Sequence, residues 1–233
     1  MILDVSDLRS GYATGDVLQG VSLALEGPGV IGVVGRNGVG KTTLMRTIIG
    51  LLPARQGAIR LRGEDVTRFS AEDRARSGVG YVPQGRGMFP NMTVLDNLRT
   101  GRFIGGGRGA AQFDLVYGYF PFLRQRAKQL AGTLSGGQQE MLAIARALIG
   151  GPDLLLLDEP SDGVQPSIVD EIGDFLIDLV RTRGMAVLIV EQNVDLVRRV
   201  VDRAHVLEKG RIVATLGGEE IRDGELLAEH LAI

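Results

Sequence analysis

Apolar and polar residues alternate along the chain in a pattern that predicts repeated strands and helices, and hence an α/β fold. Two alternating segments, residues 2–8 and 17–25, predict the first strands. Short aliphatic runs of the kind that is buried in a sheet follow them. These runs predict further strands at residues 30–34, 58–61, 80–82, 154–157 and 186–190. The segments between them predict helices at residues 41–49, 166–182 and 194–201.

The middle and the end of the chain follow different patterns. Residues 85–150 show little strand signal and predict a helical insertion, with Thr93 as a helix cap and a flexible Gly-rich loop at residues 105–109. The predicted helices of this insertion cover residues 93–101, 111–119, 122–130 and 139–149. Near the end, a turn at Lys209-Gly210 between two apolar runs predicts a hairpin, and a short acidic helix is expected after Gly218.

Composition narrows the class of protein. The chain has 233 residues, 44% of them apolar, which suits one large domain with a sizeable core. No uninterrupted apolar run approaches the ~20 residues of a membrane span, and the N-terminus lacks the pattern of a secretory signal. Cysteine is absent, so disulfides and thiolate–metal sites are excluded. A net charge of −2 argues against a dedicated nucleic-acid binder.

A phosphate-binding loop follows the third predicted strand. It reads Gly35-Arg36-Asn37-Gly38-Val39-Gly40-Lys41-Thr42, and Thr43 continues it into a helix. Glycines at this spacing let backbone N–H groups wrap phosphates. We expect Lys41 to reach the outer phosphates and the Thr42 hydroxyl to hold Mg²⁺. The strand before the loop and the helix after it make a chance Gly-rich turn a poor alternative.

A second anion-binding segment precedes the helix predicted at residues 139–149. It reads Leu134-Ser135-Gly136-Gly137-Gln138. The start of a helix attracts anions, because its first N–H groups have no partners within the helix. This segment has no lysine, however, and the chain already has a fuller phosphate loop. We therefore interpret it as half a site, completed by the phosphate loop of another molecule.

Two carboxylates follow the aliphatic strand predicted at residues 154–157. Asp158 and Glu159 then stand at the C-terminal edge of the sheet, where open parallel sheets bind ligands. We expect Asp158 to bind Mg²⁺ and Glu159 to act as general base toward an attacking water. A solvated acidic strand end is the alternative, which the nearby phosphate loop disfavours.

These three motifs, in this order and with a helical insertion between the first two, resemble the nucleotide-binding subunit of an ATP-binding cassette (ABC) transporter. The resemblance covers essentially the whole chain. It implies a P-loop NTPase cassette with a mixed, largely parallel core sheet, an antiparallel β subdomain and an inserted α-helical subdomain. Residues 1–84 and 151–233 would form the core with the β subdomain, and residues 85–150 the helical subdomain.

The resemblance also implies an activity and partners. The chain would hydrolyse ATP with Mg²⁺ at the cytoplasmic face of a bacterial inner membrane, beside two permease subunits and, indirectly, a solute-binding protein. Two cassettes would meet head to tail, so that Ser135, Gly136, Gly137 and Gln138 contact the ATP of the partner. Whether the partner is a second copy or a different cassette stays open, although a heterodimer is expected in the cell.

Further positions match the family residue by residue. Tyr12 corresponds to the aromatic residue that stacks on adenine. Gln84 corresponds to the glutamine that senses Mg²⁺ and the attacking water. Gln192 stands where most of the family has a histidine, and Gln165 where it usually has an aspartate. The chain's two histidines, at positions 205 and 230, lie elsewhere, and we expect His205 to be structural and His230 to be solvated.

Those departures resemble one branch of import cassettes. Residues 191–193, 163–167 and 83–90 are similar to cassettes that power uptake of branched-chain amino acids, with a close sub-branch for urea or short amides. An export or lipopolysaccharide-transport cassette is an alternative that would keep the histidine. A soluble ABC protein that acts on nucleic acid or ribosomes would fuse two cassettes or insert a coiled coil. A phosphate-loop kinase or GTPase would leave residues 134–138 unexplained.

Apolar residues of the helical insertion have two possible roles. We expect most of them to be core and a minority to line a groove for a cytoplasmic helix of the permease. The sequence does not separate the two groups among Phe89, Leu95, Leu98, Phe120 and Leu123.

Overall fold

The computed structural model describes residues 1–13, 15–104 and 112–223. The predicted Gly-rich loop, His230 and most of the segment after Gly218 lie outside this part of the chain. The strands are β1 (Leu3–Tyr12), β2 (Gly15–Leu25), β3 (Gly29–Val34), β4 (Gln56–Leu61), β5 (Glu64–Asp65), β6 (Val79–Val82), β7 (Leu154–Asp158), β8 (Ala186–Glu191), β9 (Arg203–Glu208) and β10 (Arg211–Gly217). The helices are α1 (Lys41–Ile49), α2 (Ala71–Arg76), α3 (Val94–Ile104), α4 (Gln112–Tyr119), α5 (Pro121–Gln125), α6 (Gly136–Ile149), α7 (Pro166–Arg183), α8 (Val194–Val200) and α9 (Gly218–Arg222).

A largely parallel sheet forms the centre of the fold. Within the described residues its strand order is β10-β9-β3-β8-β7-β6, with β10 antiparallel to β9 and the remaining pairs parallel. The turn at Lys209-Gly210 joins β9 and β10, which confirms the predicted hairpin. The C-terminal ends of β3, β8, β7 and β6 therefore lie side by side along one edge.

A second, antiparallel sheet packs beside the first, in the order β2-β1-β4-β5 across the described residues. The mixed core sheet, the antiparallel sheet and the helices between β6 and β7 confirm the predicted fold class. Strand β5 and helix α2, which both fall between β4 and β6, were not predicted. Helix α2 is only six residues long, and four of these are charged, so it has little apolar periodicity.

The central sheet separates two layers of core, which explains the aliphatic runs. On β7, Leu155 and Leu157 pack with the helices of one layer, whereas Leu154 and Leu156 pack against α1 and the antiparallel sheet. Successive side chains of a strand point to opposite faces. Because both faces are covered, all four residues are buried, and the run shows no polar alternation.

Three of the predicted helices differ in extent by three residues or more, and the first of them, α3, runs to Ile104 rather than to residue 101. The helix predicted at residues 122–130 ends at Gln125, because the Gln129 carbonyl accepts from the Val94 N–H at 2.9 Å and Leu130 forms a bridge with Thr93. Helix α6 begins at Gly136, three residues before its predicted start, with Ser135 as its N-cap. No helix in the described ranges is long and apolar enough to cross a membrane.

Candidate nucleotide site

The edge of the central sheet brings together side chains that are far apart in the sequence. The loop at residues 35–40 follows β3, Glu159 follows β7, Gln192 follows β8, and Gln84 lies two residues after β6. These four strands are neighbours in the sheet. The parallel order therefore places three of the predicted polar groups around the phosphate loop, as expected for the carboxyl edge of an open sheet.

The phosphate loop ends at the start of α1. Gly38 and Gly40 have φ angles of 80° and 116°, in the region that L side chains rarely adopt. Gly40 is the N-cap of α1 and carries no side chain that could cap the first N–H groups. The start of α1 is thus able to bind an anion. Lys41 folds back over the loop, where its ammonium donates to the Gly35 carbonyl at 2.7 Å and the Arg36 carbonyl at 3.0 Å.

A cavity of about 270 Å³ opens above this loop. Tyr12, at the end of β1, lies at this cavity with 41% of its surface exposed, so its ring is available to a ligand. The described residues that line the cavity are Tyr12, Val17, Asn37, Gly38, Gly40, Lys41, Thr42, Thr43, Gln84 and Glu159. The structure therefore gathers Tyr12, the phosphate loop, Gln84 and Glu159 at one place.

Glu159 is held by three side chains. Its Oε1 lies 3.0 Å from the Lys41 ammonium and accepts from Gln192 Nε2 at 2.9 Å. Its Oε2 accepts from Gln84 Nε2 at 2.8 Å. Glu159 also has a φ of 53°, which is unusual for a residue other than glycine and is found at functional sites. Gln192 further donates to Asn37 Oδ1 at 2.8 Å, so the segment after β8 contacts the phosphate loop directly.

Asp158 is almost fully buried, with 2% of its surface exposed. The Thr42 hydroxyl donates to its Oδ1 at 3.1 Å, and the Tyr81 hydroxyl donates to its Oδ2 at 3.2 Å. Burial raises the pKa of Asp158, and the hydrogen bonds from Thr42 and Tyr81 lower it in part. The carboxylate is therefore desolvated but hydrogen-bonded on both oxygens.

The oxygen atoms at and around Asp158 are suitable ligands for Mg²⁺. Thr42 and Asp158 supply hard oxygen atoms, and Gln84 donates through Nε2, which leaves its amide oxygen as the atom able to ligate a metal. In the described part of the chain there is no cluster of three or more His, Cys, Asp or Glu residues that could hold a metal ion. A metal at this site would thus need oxygens from a nucleotide or from water, which is how Mg²⁺ usually binds.

The segment at residues 134–138 is built as the start of a helix. Ser135 Oγ accepts from the Gln138 N–H at 3.4 Å, and Gln138 Oε1 accepts from the Ser135 N–H at 3.3 Å, which forms a capping box. A side chain at Gly137 would overlap Ile168 of α7, since its Cβ would lie 2.8 Å from that side chain. None of residues 134–138 is among the described residues that line the cavity.

Glu191 organises the two loops that flank Glu159. It is 2% exposed, and its carboxylate accepts from the N–H groups of Ser161, Gln192 and Asn193 at 2.9, 2.7 and 2.9 Å. The predicted departure at Gln165 stands at the N-cap of α7, where its side chain makes no capping hydrogen bond. Glu191 has no predicted individual role, because a charged residue that ends an aliphatic strand is usually solvated.

His205 is structural, as expected. It lies on β9 and is 7% exposed, and its Nδ1 pairs with the Thr215 hydroxyl of β10 at 2.9 Å. Burial lowers the pKa of His205, and nearby Arg203 lowers it further. This histidine is not among the described residues that line the cavity, and its lowered pKa favours the neutral form.

Two more residues near the site were missed in the sequence. Tyr81 lies next to Asp158 because β6 pairs with β7, a contact that no local motif announces. Glu140 lies on the buried face of α6, three residues after Gly137 and four before Ile144. This helical spacing is the sequence signal that could have identified it. Its Oε2 lies 3.7 Å from Arg86 Nε, and burial raises the pKa of Glu140 to about 8.

Arg86 and Arg146 attach the segment after Gln84 to α6. Arg86 donates to Gln139 Oε1 at 3.0 Å, and Arg146 donates to the Gly87 carbonyl at 2.9 Å. Arg146 also lies over the ring of Phe89, 5.6 Å from its centroid. Beside these groups is a cavity of about 260 Å³, lined by residues of β6, α3 and α6 together with Phe89.

The model of the ABC transporter family matches residues 18–162 of this sequence. The chain belongs to the ABC transporter family. It is an ATP-binding subunit with ATPase activity, a nucleotide-binding cassette of a transporter system that acts with membrane components. The family resemblance stated from the motifs is thereby confirmed.

Two curated relatives illustrate the range of similar cassettes. The high-affinity branched-chain amino acid transport ATP-binding protein BraG of Pseudomonas aeruginosa is 39% identical, over 97% of this chain and 99% of its own length. The lipopolysaccharide export system ATP-binding protein LptB of Haemophilus influenzae is 35% identical, over 96% of this chain and 94% of its own length. Similar cassettes thus occur in both import and export systems.

Solved structures agree with the fold. A nucleotide-free ATP-binding cassette from an ABC transporter is similar with a TM-score of 0.86 and 27% identity, over 99% of this chain and 97% of that one. An ATP-binding cassette of an ABC transporter in its ADP conformation gives a TM-score of 0.81 at 27% identity, over 99% and 96%. The cassette is therefore of a type that binds nucleotide.

Proposed function

We propose that this cassette binds MgATP in the cavity above the phosphate loop and hydrolyses it to energise solute uptake. The observation that carries the proposal is the convergence of Lys41, Gln84 and Gln192 on the Glu159 carboxylate at the edge of the sheet. In this arrangement Glu159 is the general base, and the backbone of residues 35–42 and Lys41 bind the phosphates.

The remaining residues of the cavity orient the nucleotide. Tyr12 stacks on adenine, an interaction that contributes about 1–3 kcal/mol in nucleic-acid systems. Thr42 and Asp158, with the amide oxygen of Gln84, would hold Mg²⁺, which neutralises phosphate charge when bound. The Gln192 amide donates to a phosphate oxygen or to Glu159, but it never becomes cationic. Its existing bond to Asn37 supports this position beside the phosphate loop.

Residues 134–138 complete the ATP site of a second cassette. None of them is among the described residues that line the chain's own cavity, which supports this role. The Ser135 hydroxyl accepts the capping bond from Gln138 N–H, so its proton remains able to donate to a phosphate of the partner. The partner is a second copy or a different cassette, and we expect a different cassette in the cell.

Residues 85–150 form the helical subdomain that responds to nucleotide. The contacts of Arg86 and Arg146 attach the segment after Gln84 to α6. A movement of Gln84 on nucleotide binding would therefore shift the position of that helix. Leu98, Phe120 and Leu123 are core, Leu95 is half-buried and Phe89 is 48% exposed. The cavity beside Phe89 is therefore the place where a cytoplasmic helix of the permease would dock.

The import branch is the finer part of this proposal. The BraG relative is named for branched-chain amino acid transport, and Gln192 with its neighbours resembles that branch. Uptake of branched-chain amino acids, or of urea or short amides, would require two permeases and a solute-binding protein. The cassette would then act at the cytoplasmic face of the inner membrane. A lipopolysaccharide export role is the second candidate, favoured by the similarity to LptB.

A pair of variants tests the catalytic assignment. Glu159→Gln should bind MgATP but hydrolyse it at least about 100-fold more slowly, since a general base contributes 10²–10⁴-fold. Glu72→Gln, which removes an exposed carboxylate of α2, is the control and should keep wild-type turnover. Wild-type hydrolysis by Glu159→Gln would contradict the proposal. Solute uptake is then measured in vesicles that contain the cassette and the permeases encoded beside it, with and without the solute-binding protein. Uptake that depends on the binding protein distinguishes import from export.

A further inference from the structure

We propose that Tyr81 is a positioning residue that holds the Asp158 carboxylate in the orientation needed for the metal. The inference rests on the proposed function, in which Thr42 and Asp158 hold Mg²⁺, and it adds a residue from a neighbouring strand. Tyr81 lies on β6, which pairs in parallel with β7. In this pairing Tyr81 stands opposite Leu156, two residues before Asp158.

The two oxygens of Asp158 have different partners. Oδ1 accepts from the Thr42 hydroxyl at 3.1 Å, which comes from α1, and Oδ2 accepts from the Tyr81 hydroxyl at 3.2 Å. Asp158 is 2% exposed, so water contributes little to holding it. The carboxylate is therefore fixed from two sides, and Thr42 is itself expected to turn toward a metal. The Tyr81 hydroxyl, together with the backbone N–H of Gln84, would then keep Asp158 in place.

The face of the sheet explains why Tyr81 reaches this position. On β6, the side chains of Val79 and Tyr81 point to one face of the sheet and that of Val82 to the other. Val79 and Tyr81 pack in the same core layer as Leu156 of β7. That layer is covered by α1, whose residues Thr42 and Arg46 are one turn apart and share a face. Thr42 thus meets Asp158, and Arg46 meets Tyr81.

Arg46 orients the Tyr81 hydroxyl. The guanidinium interacts with the side chains of Tyr12 and Tyr81, which raises the pKa of Arg46. A guanidinium has donors only, so it donates to the tyrosine oxygen, and the tyrosine proton is left for the carboxylate. Tyr12 and Tyr81 thus both interact with Arg46, and the Tyr81 hydroxyl also donates to Asp158.

Tyr81 could instead serve only to fill the core. A phenylalanine would do that equally well, since the ring packs among apolar residues. Only the hydroxyl distinguishes the two roles, and Tyr81→Phe removes the hydroxyl alone. Tyr119→Phe is the matched control, because the Tyr119 hydroxyl also donates to an aspartate, Asp178, at 2.8 Å, but on α4 and α7 outside the cavity.

The test measures Mg²⁺ binding rather than turnover. The full chain is saturated with ADP, and Mg²⁺ is titrated by isothermal calorimetry, with ADP binding measured separately in EDTA. Tyr81→Phe should weaken the Mg²⁺ affinity about tenfold, the usual effect of removing a residue that orients a metal ligand. Its metal-free ADP affinity should match the wild type, and Tyr119→Phe should match the wild type in both. Circular dichroism establishes that each variant is folded.

Three outcomes decide the matter. A weaker Mg²⁺ affinity confined to Tyr81→Phe supports the inference. The same Mg²⁺ affinity in Tyr81→Phe and wild type overturns it, while leaving the proposed metal site in place. If Mg²⁺ fails to bind to the ADP complex of the wild type itself, the proposed metal site is wrong, and the role of Tyr81 fails with it.

Discussion

The Lys41 ammonium lies 3.0 Å from the Glu159 carboxylate, and both side chains are buried, with 3% and 7% of their surfaces exposed. Lys41 is the group expected to bind phosphate, and Glu159 is the proposed base. Their contact means that the two functional charges of the cavity neutralise each other. A buried pair of this kind needs additional hydrogen bonds, which Gln84, Gln192 and two loop carbonyls supply.

This ion pair predicts that Glu159 competes with phosphate for Lys41. Glu159→Gln removes the charge, and Glu159→Asp keeps it on a shorter side chain that no longer reaches Lys41. Because a hydrogen bond to a charged group contributes about 1.5–3 kcal/mol, both variants should bind ADP about tenfold more tightly in a calorimetric titration. Asp162→Asn, which removes a nearby charge that contacts Gln84 rather than Lys41, should stay close to the wild type. If the ADP affinity of Glu159→Asp equalled that of the wild type, repulsion between the carboxylate and the phosphates would control binding. The predicted competition for Lys41 would then be wrong.

The position of Gln192 predicts a simple dependence of hydrolysis on pH. Gln192 contacts Asn37 and Glu159 without a titratable group of its own, and the pKa of buried His205 is lowered. The rate of ATP hydrolysis should therefore show no limb from a histidine near its usual pKa of about 6.5. Gln192→His should introduce such a limb. A wild-type profile with this limb, unchanged in Glu159 variants that retain residual activity, would contradict the prediction.

Ser135 offers a test of the half-site. Ser135→Arg places a long cation at the start of α6, where the phosphate of a partner is expected. The variant should bind ATP on its own loop as the wild type does but should fail to form an ATP-dependent dimer in size-exclusion chromatography. Ser70→Arg is the control, because Ser70 caps α2 in the same way and lies outside the 134–138 segment. Each variant should lose about 1 kcal/mol of stability with its cap. Loss of ATP binding by monomeric Ser135→Arg would overturn the half-site model.

Glu140 predicts a pH-dependent stability. Burial raises its pKa from 4.5 to about 8, Arg86 offsets part of the rise, and Glu191 and Asp162 add to it. A raised folded pKa means that the folded state holds the proton more tightly than the unfolded state. The resulting stability is complete below pH 4.5 and is lost as the pH rises to about 8.

The measurement compares Glu140→Gln with the wild type in urea. The free energy of unfolding of Glu140→Gln, taken relative to that of the wild type, should increase as the pH rises through this window. The increase should be on the order of 2 kcal/mol. Glu72→Gln, at an exposed position, should show no such change relative to the wild type. A difference between Glu140→Gln and wild type that stays constant with pH would show that Glu140 ionises as it does in the unfolded chain.

Much of the fold was predictable because local patterns carried it. The helix at 41–49 was predicted at its observed bounds, since the phosphate loop ends at Gly40 and Gly50 adopts the left-handed conformation of a helix end. The helix predicted at 122–130 was wrong beyond Gln125, because pairing of Gln129 and Leu130 with the start of α3 draws the backbone away. No signal within that segment records this contact.

The sequence by itself determined the α/β class, the phosphate loop, the two carboxylates and the family, because each depends on residues that are adjacent or at fixed spacing. The tertiary structure decided which of these groups meet. Glu159 pairs with Lys41, Gln192 with Asn37 and Tyr81 with Asp158 only because β3, β8, β7 and β6 are neighbours in one sheet. Strand order is set by the packing of the whole core, so contacts between strand ends cannot be read from any one segment of the chain.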